Sequence, residues 1–140
     1  MSSARDAMPA GLRDWAVAEL PGQPVLRSTV VAGDASQRRY FRLITPTSSH
    51  IAVLSPPATE KNAAFLAMRD CLDTAGVRVP ALLAADLDRG YLLLVEFGGQ
   101  LLLDGLSAAS VAADYVAALA VALSIAGATP PAGWPRYVAE

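Results

Sequence analysis

The stretch AGDASQRRYFRL, residues 32–43, combines the residue types of a tight turn with those of an anion-binding loop. Its polar tip runs from Gly33 to Ser36, and Arg38 and Arg39 follow almost directly. Successive backbone N–H groups in such a turn can point into a concavity that binds an anion, and arginine adds bidentate contacts to phosphate. Glycine, aspartate and serine are also common at plain hairpin tips. Taken alone, the stretch leaves both interpretations open.

A second candidate segment is LLLVEFGG, residues 92–99, in which an apolar strand pattern ends in Glu96 and Phe97 before two glycines. Such a segment can connect two lobes. Backbone C=O and N–H groups beyond Val95 need hydrogen-bond partners, and the edge of a flat heteroaromatic ring can supply them. Many strands end in Glu and Gly for structural reasons alone, so this signal is also weak by itself.

Metal and nucleophile chemistry lack the residues that they need. The only histidine, His50, is expected at a partly exposed strand start, and metal clusters or nucleophile–histidine pairs need further partners. The only cysteine, Cys71, lies in an apolar helical pattern, where a thiol is usually a small core residue. We therefore predict no metal site in this chain.

The composition indicates a folded domain, or part of one, that does not bind nucleic acid. The 140 residues are 54% hydrophobic and 17% charged, and the net charge of −2 gives no basic field to attract nucleic acid or an anionic membrane. The N-terminal sequence lacks the apolar stretch of a signal peptide, so the expected location is the cytoplasm. The apolar stretch 115–128 is shorter than the roughly 20 residues that span a bilayer, which favours a buried helix.

The hydrophobic pattern predicts an α+β fold, with a five-stranded, largely antiparallel sheet packed by a helix. Thr59 and Asn62 are the predicted capping residues of the second helix, and Gly76 is placed to end it. The last two strands read as buried on both faces, and the last helix is apolar all round and needs cover on every side. The predicted helices are Pro9–Leu20, Thr59–Ala75 and Ser107–Ala126, and the predicted strands are Val25–Val31, Arg39–Ile44, His50–Ser55, Val79–Asp86 and Tyr91–Glu96.

The order of these motifs resembles the N-terminal lobe of the protein-kinase-like fold. The hairpin GDASQRRYFRL, the SPP after the third strand (residues 55–57) and RVPALLAADLDRGYLLLVEFGGQLLLDGL (residues 78–106) are similar to the aminoglycoside phosphotransferase family. The resemblance is strongest to its bacterial branch of cell-wall amino-sugar kinases, which phosphorylate the anomeric hydroxyl of N-acetylmuramate and N-acetylglucosamine. It covers most of Val25–Leu106. It implies a nucleotide-binding N-lobe over residues 1–97, followed by a hinge and the start of an incomplete C-lobe over residues 98–140.

This resemblance implies ATP as the cofactor and assigns roles residue by residue. The helix 59–75 would correspond to the regulatory helix of kinases. Three groups of residues would bind the nucleotide: Gly33, Asp34, Ala35, Ser36 and Arg38 over the phosphates, Ala52 and Val53 along the adenine pocket, and Glu96 and Phe97 as hinge backbone groups at the adenine edge.

Two departures from the family pattern limit what the chain can do. Kinases end the third strand in a lysine that holds the phosphates, whereas this chain has Leu54 there, so Arg38, Arg39 and Arg42 become the candidates. In the family, the aspartate that orients the acceptor and the Mg²⁺ ligands belong to the C-terminal lobe. After Asp114 this chain has a single acidic residue and no histidine. We therefore expect a kinase portion truncated before the catalytic loop, with no catalytic residue of its own and Mg²⁺ bound only when the missing lobe is supplied.

Two other interpretations stay open at this point. One is a stand-alone, non-catalytic module that binds a nucleotide or a protein partner, and the other is an unrelated small α+β domain. The expected ligand is a nucleotide. The expected protein partners are a missing C-terminal lobe or a second copy of the chain, in contact with the apolar helix 107–126. Neither nucleic acid nor a membrane is expected as a partner.

Overall fold

A computed structural model of the protein describes residues 7–31, 36–98 and 101–134. All strand pairs in these ranges are antiparallel, in the order β1-β2-β3-β5-β4. This confirms the predicted α+β fold and its five-stranded sheet, consistent with a kinase-like N-lobe followed by a helix. The helices are α1 (Ala10–Ala18), α2 (Asn62–Thr74), α3 (Leu102–Gly105) and α4 (Val111–Ala126), and the strands are β1 (Arg27–Val31), β2 (Arg39–Ile44), β3 (Ser49–Leu54), β4 (Leu82–Asp86) and β5 (Tyr91–Val95).

The chain divides into two compact units. The first consists of Met1–Asn62 and Pro80–Phe97, and it contains α1 and the whole sheet. The second consists of Ala63–Val79 and Gly98–Glu140, and it contains α3, α4 and all of α2 after its first residue. The division into 1–97 and 98–140 that the family resemblance implies stays a prediction.

Helix α1 covers one face of the sheet. Pro9 directly precedes the helix, where its fixed φ and missing N–H cost nothing. Its apolar side chains recur at helical spacing and pack against alternate residues of the three central strands β2, β3 and β5. Full burial of a Leu or Phe contributes roughly 2 kcal/mol, so this layer is a main source of stability for the first unit. The α1 cluster consists of Leu12, Ala16, Leu20, Phe41, Leu43, Ala52 and Leu93.

The last two strands differ in burial, and the prediction that both are covered on two faces is wrong for β4. Side chains of β4 alternate between half-buried and exposed, which shows that only one of its faces is covered. Leu83, for example, exposes 46% of its surface. Strand β5 is buried on both faces as predicted, since it lies between β3 and β4.

Helix α2 begins later than the capping pattern predicts. Thr59 lies in a turn, and its Oγ1 donates to the carbonyl of Pro56 at 3.4 Å instead of capping the helix. Asn62 is the first helical residue, and its side chain bonds to Ser55. Both capping assignments are therefore wrong, because the side chain of Asn62 satisfies a buried tertiary partner. Gly76, with a φ of 78°, ends the helix in the left-handed conformation as predicted.

Helix α4 begins at Val111 rather than at Ser107. The Oγ of Ser107 accepts the N–H of Ser110 at 3.1 Å, which forms a separate turn before the helix. Most of its apolar side chains are exposed, including Leu119 and Leu123. Within the described ranges, no helix has the length and apolar character that crossing a membrane requires.

The single histidine and the single cysteine both have structural partners. His50 is buried, so the expectation of a partly exposed strand start is wrong. Its Nε2 lies 2.9 Å from the Oγ of Ser48, and burial lowers the pKa of the ring, which keeps it neutral at pH 7. Cys71 is half-buried rather than a core residue, and its Sγ donates to the carbonyl of Thr129 at 3.0 Å.

Replacing Gly90 with alanine should destabilise the fold strongly. Gly90 has a φ of 71°, and an added Cβ would lie 2.1 Å from the carbonyl oxygen of Ser55. We expect Gly90→Ala to lower the free energy of unfolding by about 3 kcal/mol or more, measured by urea denaturation.

The matched control is Gly22→Ala, because Gly22 has a similar φ of 74° but nothing within 4 Å of the added Cβ. Only backbone strain remains there, and the expected loss is about 1 kcal/mol. Equal losses in the two variants would contradict the close approach of Gly90 to β3.

Candidate functional site

A polar cluster joins the end of the predicted phosphate loop to the connection between β3 and α2. We call it the Arg38 cluster, and it consists of Gln37, Arg38, Ser55, Glu60 and Asn62. All of its members belong to the first unit. The cluster forms because β2 and β3 pair antiparallel, so the residue before β2 lies beside the residue after β3.

Ser55 is the centre of this cluster. Its side chain is fully buried, so its polar hydrogen and lone pairs must be satisfied within the protein. The Oγ accepts the Nε–H of Arg38 at 2.9 Å and donates to the Oδ1 of Asn62 at 2.5 Å. The Nδ2 of Asn62 returns a hydrogen bond to the Ser55 carbonyl at 2.9 Å. Arg38 is thus held at β3 by a hydroxyl that the first residue of α2 orients.

Glu60 holds the same segment from a second side. One carboxylate oxygen accepts the backbone N–H of Gln37 at 2.9 Å, and the other lies 3.3 Å from a terminal nitrogen of Arg38. The Arg38 and Glu60 side chains are only 15% and 11% exposed. A pair shielded from water in this way interacts more strongly than a surface pair.

The structure describes two of the five residues predicted to bind phosphate. Ser36 and Arg38 lie together, since the Oγ of Ser36 accepts the N–H of Arg38 at 3.1 Å. Gly33, Asp34 and Ala35 lie outside the described residues.

The two residues predicted to line the adenine pocket point to opposite faces of the sheet. Ala52 is a member of the α1 cluster, and Val53 follows it on β3, where successive side chains alternate. A single pocket can therefore contain only one of them. Ala52 is 0% exposed and Val53 is 1% exposed, so neither presents surface to a ligand in this conformation. Val53 shares its face with Ser55, which places it on the side of the Arg38 cluster.

The predicted hinge begins at Glu96, whose side chain is tied to the sheet. Arg42 reaches across β3, and its Nε and a terminal nitrogen lie 2.6 and 2.5 Å from one oxygen of Glu96. The hydrogen bond from Arg42 is the main cause that lowers the pKa of Glu96, although burial acts in the opposite direction. The backbone N–H of Glu96 donates to the carbonyl of Ser49 at 3.4 Å. Phe97 follows and exposes 52% of its surface.

The three arginines proposed to replace the third-strand lysine occupy different environments. Arg42 pairs with Glu96, and the guanidinium of Arg39 lies 5.6 Å from the ring centroid of Phe41. The Nε of Arg38 donates to the Oγ of Ser55, the residue directly after β3. The residue at the lysine position, Leu54, packs against the α1 cluster.

Four members of the Arg38 cluster were not among the residues that the sequence singled out for nucleotide binding: Gln37, Ser55, Glu60 and Asn62. If the alternation of β3 continues for one residue beyond Leu54, Ser55 points to the same face as Val53. No comparable local signal indicates Glu60, because its partners Gln37 and Arg38 are more than twenty positions away. In the part of the chain that the structure describes, no group of three or more His, Cys, Asp or Glu side chains could hold a metal ion.

Comparison with curated proteins confirms the resemblance that the motifs indicate. The chain is 40% identical over 96 residues, 69% of its length, to a protein of Pseudomonas putida named N-acetylmuramate/N-acetylglucosamine kinase, of which the match covers 27%. It is 42% identical over 73 residues, 52% of its length, to a protein of the same name from Pseudomonas aeruginosa, of which the match covers 22%. The chain therefore spans about a quarter of the length of these relatives. No family model matches the chain, and neither does any solved structure.

The Arg42–Glu96 pair should give the fold a pH-dependent stability. The folded state holds the pKa of Glu96 below its ordinary value of 4.5, so the contribution is fully present above that pH and is lost as the pH falls through the lowered pKa. We expect Arg42→Gln to lower the free energy of unfolding by about 1 kcal/mol at pH 7, less than a fully buried pair would give because Arg42 is partly exposed. The difference from wild type should shrink as the pH falls from about 5 toward 3.

Urea denaturation across this pH range measures the effect. Arg27→Gln is the control, since it removes the same charge from an exposed residue of β1. A deficit in Arg42→Gln that does not change with pH would show that the pair with Glu96 is not its origin.

Proposed function

We propose that this chain is the ATP-binding portion of an amino-sugar kinase that acts on cell-wall sugars such as N-acetylmuramate and N-acetylglucosamine. The observation that carries the proposal is the 40% identity over 96 residues to a protein named for that activity. The matched region amounts to 69% of the chain, so it includes much of the sheet that would bind the nucleotide.

The Arg38 cluster supports phosphate binding at the start of β2. A guanidinium supplies charge and directional donors for phosphate oxygens, and Arg38 is held in place by Ser55 and Glu60. Ser36 lies beside it and adds a hydroxyl. Arg38 is therefore the residue that we assign to the role of the third-strand lysine in other kinases.

Adenine binding is proposed at the opposite end of the central strands. There the Arg42–Glu96 pair fixes the chain as it leaves β5, so that the backbone of Glu96 and Phe97 has a defined position. The exposed ring of Phe97 offers an apolar surface beside that backbone. Val53 would line the pocket only if the residues that now bury it move. Ala52 would remain under α1.

Transfer of the γ-phosphate needs further groups besides those that bind ATP. An aspartate must orient the acceptor hydroxyl, and carboxylate or amide ligands must hold Mg²⁺ between the phosphates. After Asp114 the chain contains a single acidic residue. We therefore propose that this portion supplies ATP binding. The catalytic aspartate and the residues that bind the sugar would then lie outside it.

Isothermal titration calorimetry of the 140-residue chain with ATP tests the proposal. We expect measurable binding by the wild type. In a separate thermal denaturation experiment its melting temperature should rise with ATP concentration, because a ligand that binds only the folded state stabilises it. Arg38→Ala should weaken ATP binding by on the order of tenfold or more, as expected when a charge-assisted hydrogen bond is lost. Ser36→Ala should weaken it less, because a neutral hydroxyl is removed.

Arg13→Ala is the matched control, since it removes one positive charge from an exposed position of α1. It should bind ATP as the wild type does. A wild-type chain whose melt does not respond to millimolar ATP would overturn the proposal and favour an unrelated α+β domain. Equal losses of affinity in Arg13→Ala and Arg38→Ala would show that the loss comes from the change in net charge and not from a specific contact of Arg38.

A further inference from the structure

We propose that Glu60 is a positioning residue for phosphate binding, although it lies outside the predicted phosphate loop and outside the sheet. The inference rests on the proposed function and deepens it. Its basis is the contact of both Glu60 oxygens with consecutive residues, the backbone N–H of Gln37 at 2.9 Å and the guanidinium of Arg38 at 3.3 Å. One carboxylate therefore sets both the path of the backbone and the direction of the side chain.

The role of Glu60 is indirect, because a carboxylate repels the anionic phosphates of a nucleotide. Its effect must reach the ligand through Arg38 and Gln37. The guanidinium of Arg38 is held on two edges, with Nε bonded to Ser55 and a terminal nitrogen facing Glu60. A planar group held at two edges keeps one orientation, so little side-chain entropy is lost when phosphate binds.

The cluster also couples phosphate binding to the start of α2. Glu60 lies two residues before Asn62, the first residue of that helix, and Asn62 orients the hydroxyl that binds Arg38. Gln37 is thus bonded to Glu60 and Arg38 to Ser55, and both partners belong to the short connection between β3 and α2. A shift of this connection would move Arg38 with it, whereas an arginine that contacts only solvent would be independent of α2.

Three variants separate positioning from general stability. Glu60→Ala removes both contacts, and Glu60→Gln keeps an oxygen that can still accept the Gln37 N–H while it removes the charge. Asp73→Asn is the matched control, because Asp73 also lies within 4 Å of an arginine, Arg69, but on the exposed surface of α2 and outside the cluster. ATP and inorganic triphosphate are the probes in calorimetry, and hydrogen exchange of the Gln37 amide, followed by NMR without ligand, reports on the contact itself.

We expect Glu60→Ala to bind ATP and triphosphate on the order of tenfold more weakly than wild type, because Arg38 is then no longer held in one orientation and its charge-assisted hydrogen bond to phosphate weakens. Exchange of the Gln37 amide should accelerate in Glu60→Ala and recover in part in Glu60→Gln, whose affinity should be intermediate. Asp73→Asn should match wild type in both measurements.

Folded Glu60→Ala with wild-type affinity would overturn the inference, even with faster exchange at Gln37. If Glu60→Ala does not fold, Glu60→Gln decides, since unchanged affinity there contradicts the role and weakened affinity supports it. Failure of the proposed function would look different from failure of the Glu60 role, because the wild-type chain itself would then bind neither ATP nor triphosphate.

Discussion

The antiparallel register of β3 is the constraint on which the rest of the first unit depends. This strand lies between β2 and β5, and its side chains alternate between two covered faces. Ala52 faces α1, and the alternation then brings Val53 and Ser55 to the other face. A register shifted by one residue would place the hydroxyl of Ser55 under α1 and leave Arg38 without that partner.

Two charge pairs use this register in different ways. Arg38 and Glu60 lie at the end where β2 starts, and both are largely withdrawn from water. Arg42 and Glu96 span β3 further along, where Glu96 is nearly buried and Arg42 is about one-third exposed. Each pair links the sheet to a segment that leaves it, the connection to α2 in one case and the exit from β5 in the other. Because both ends of the proposed nucleotide site depend on such a link, fold stability and ligand geometry are coupled there.

Local patterns in the sequence predicted the elements well and their starts less well. Strand β2 has the predicted bounds, and the left-handed end of α2 at Gly76 is as expected, because φ preference and alternation are local properties. Thr59 does not cap α2 and Ser107 does not begin α4, since each residue lies in a turn before the helix. The continuous apolar run of β4 predicted a strand buried on both faces, yet its side chains alternate between half-buried and exposed.

Residue order and short-range pattern were enough to predict the fold class and the resemblance to amino-sugar kinases, and they singled out the candidate phosphate loop. The tertiary structure was needed to show that Ala52 rather than Val53 lies under α1, and that the Arg38 side chain is bonded to Ser55 while Arg42 pairs with Glu96. It also showed that Glu60 and Asn62 belong to the Arg38 cluster. These contacts join residues far apart in the chain, and strand pairing brings such residues together in a way that no local pattern specifies.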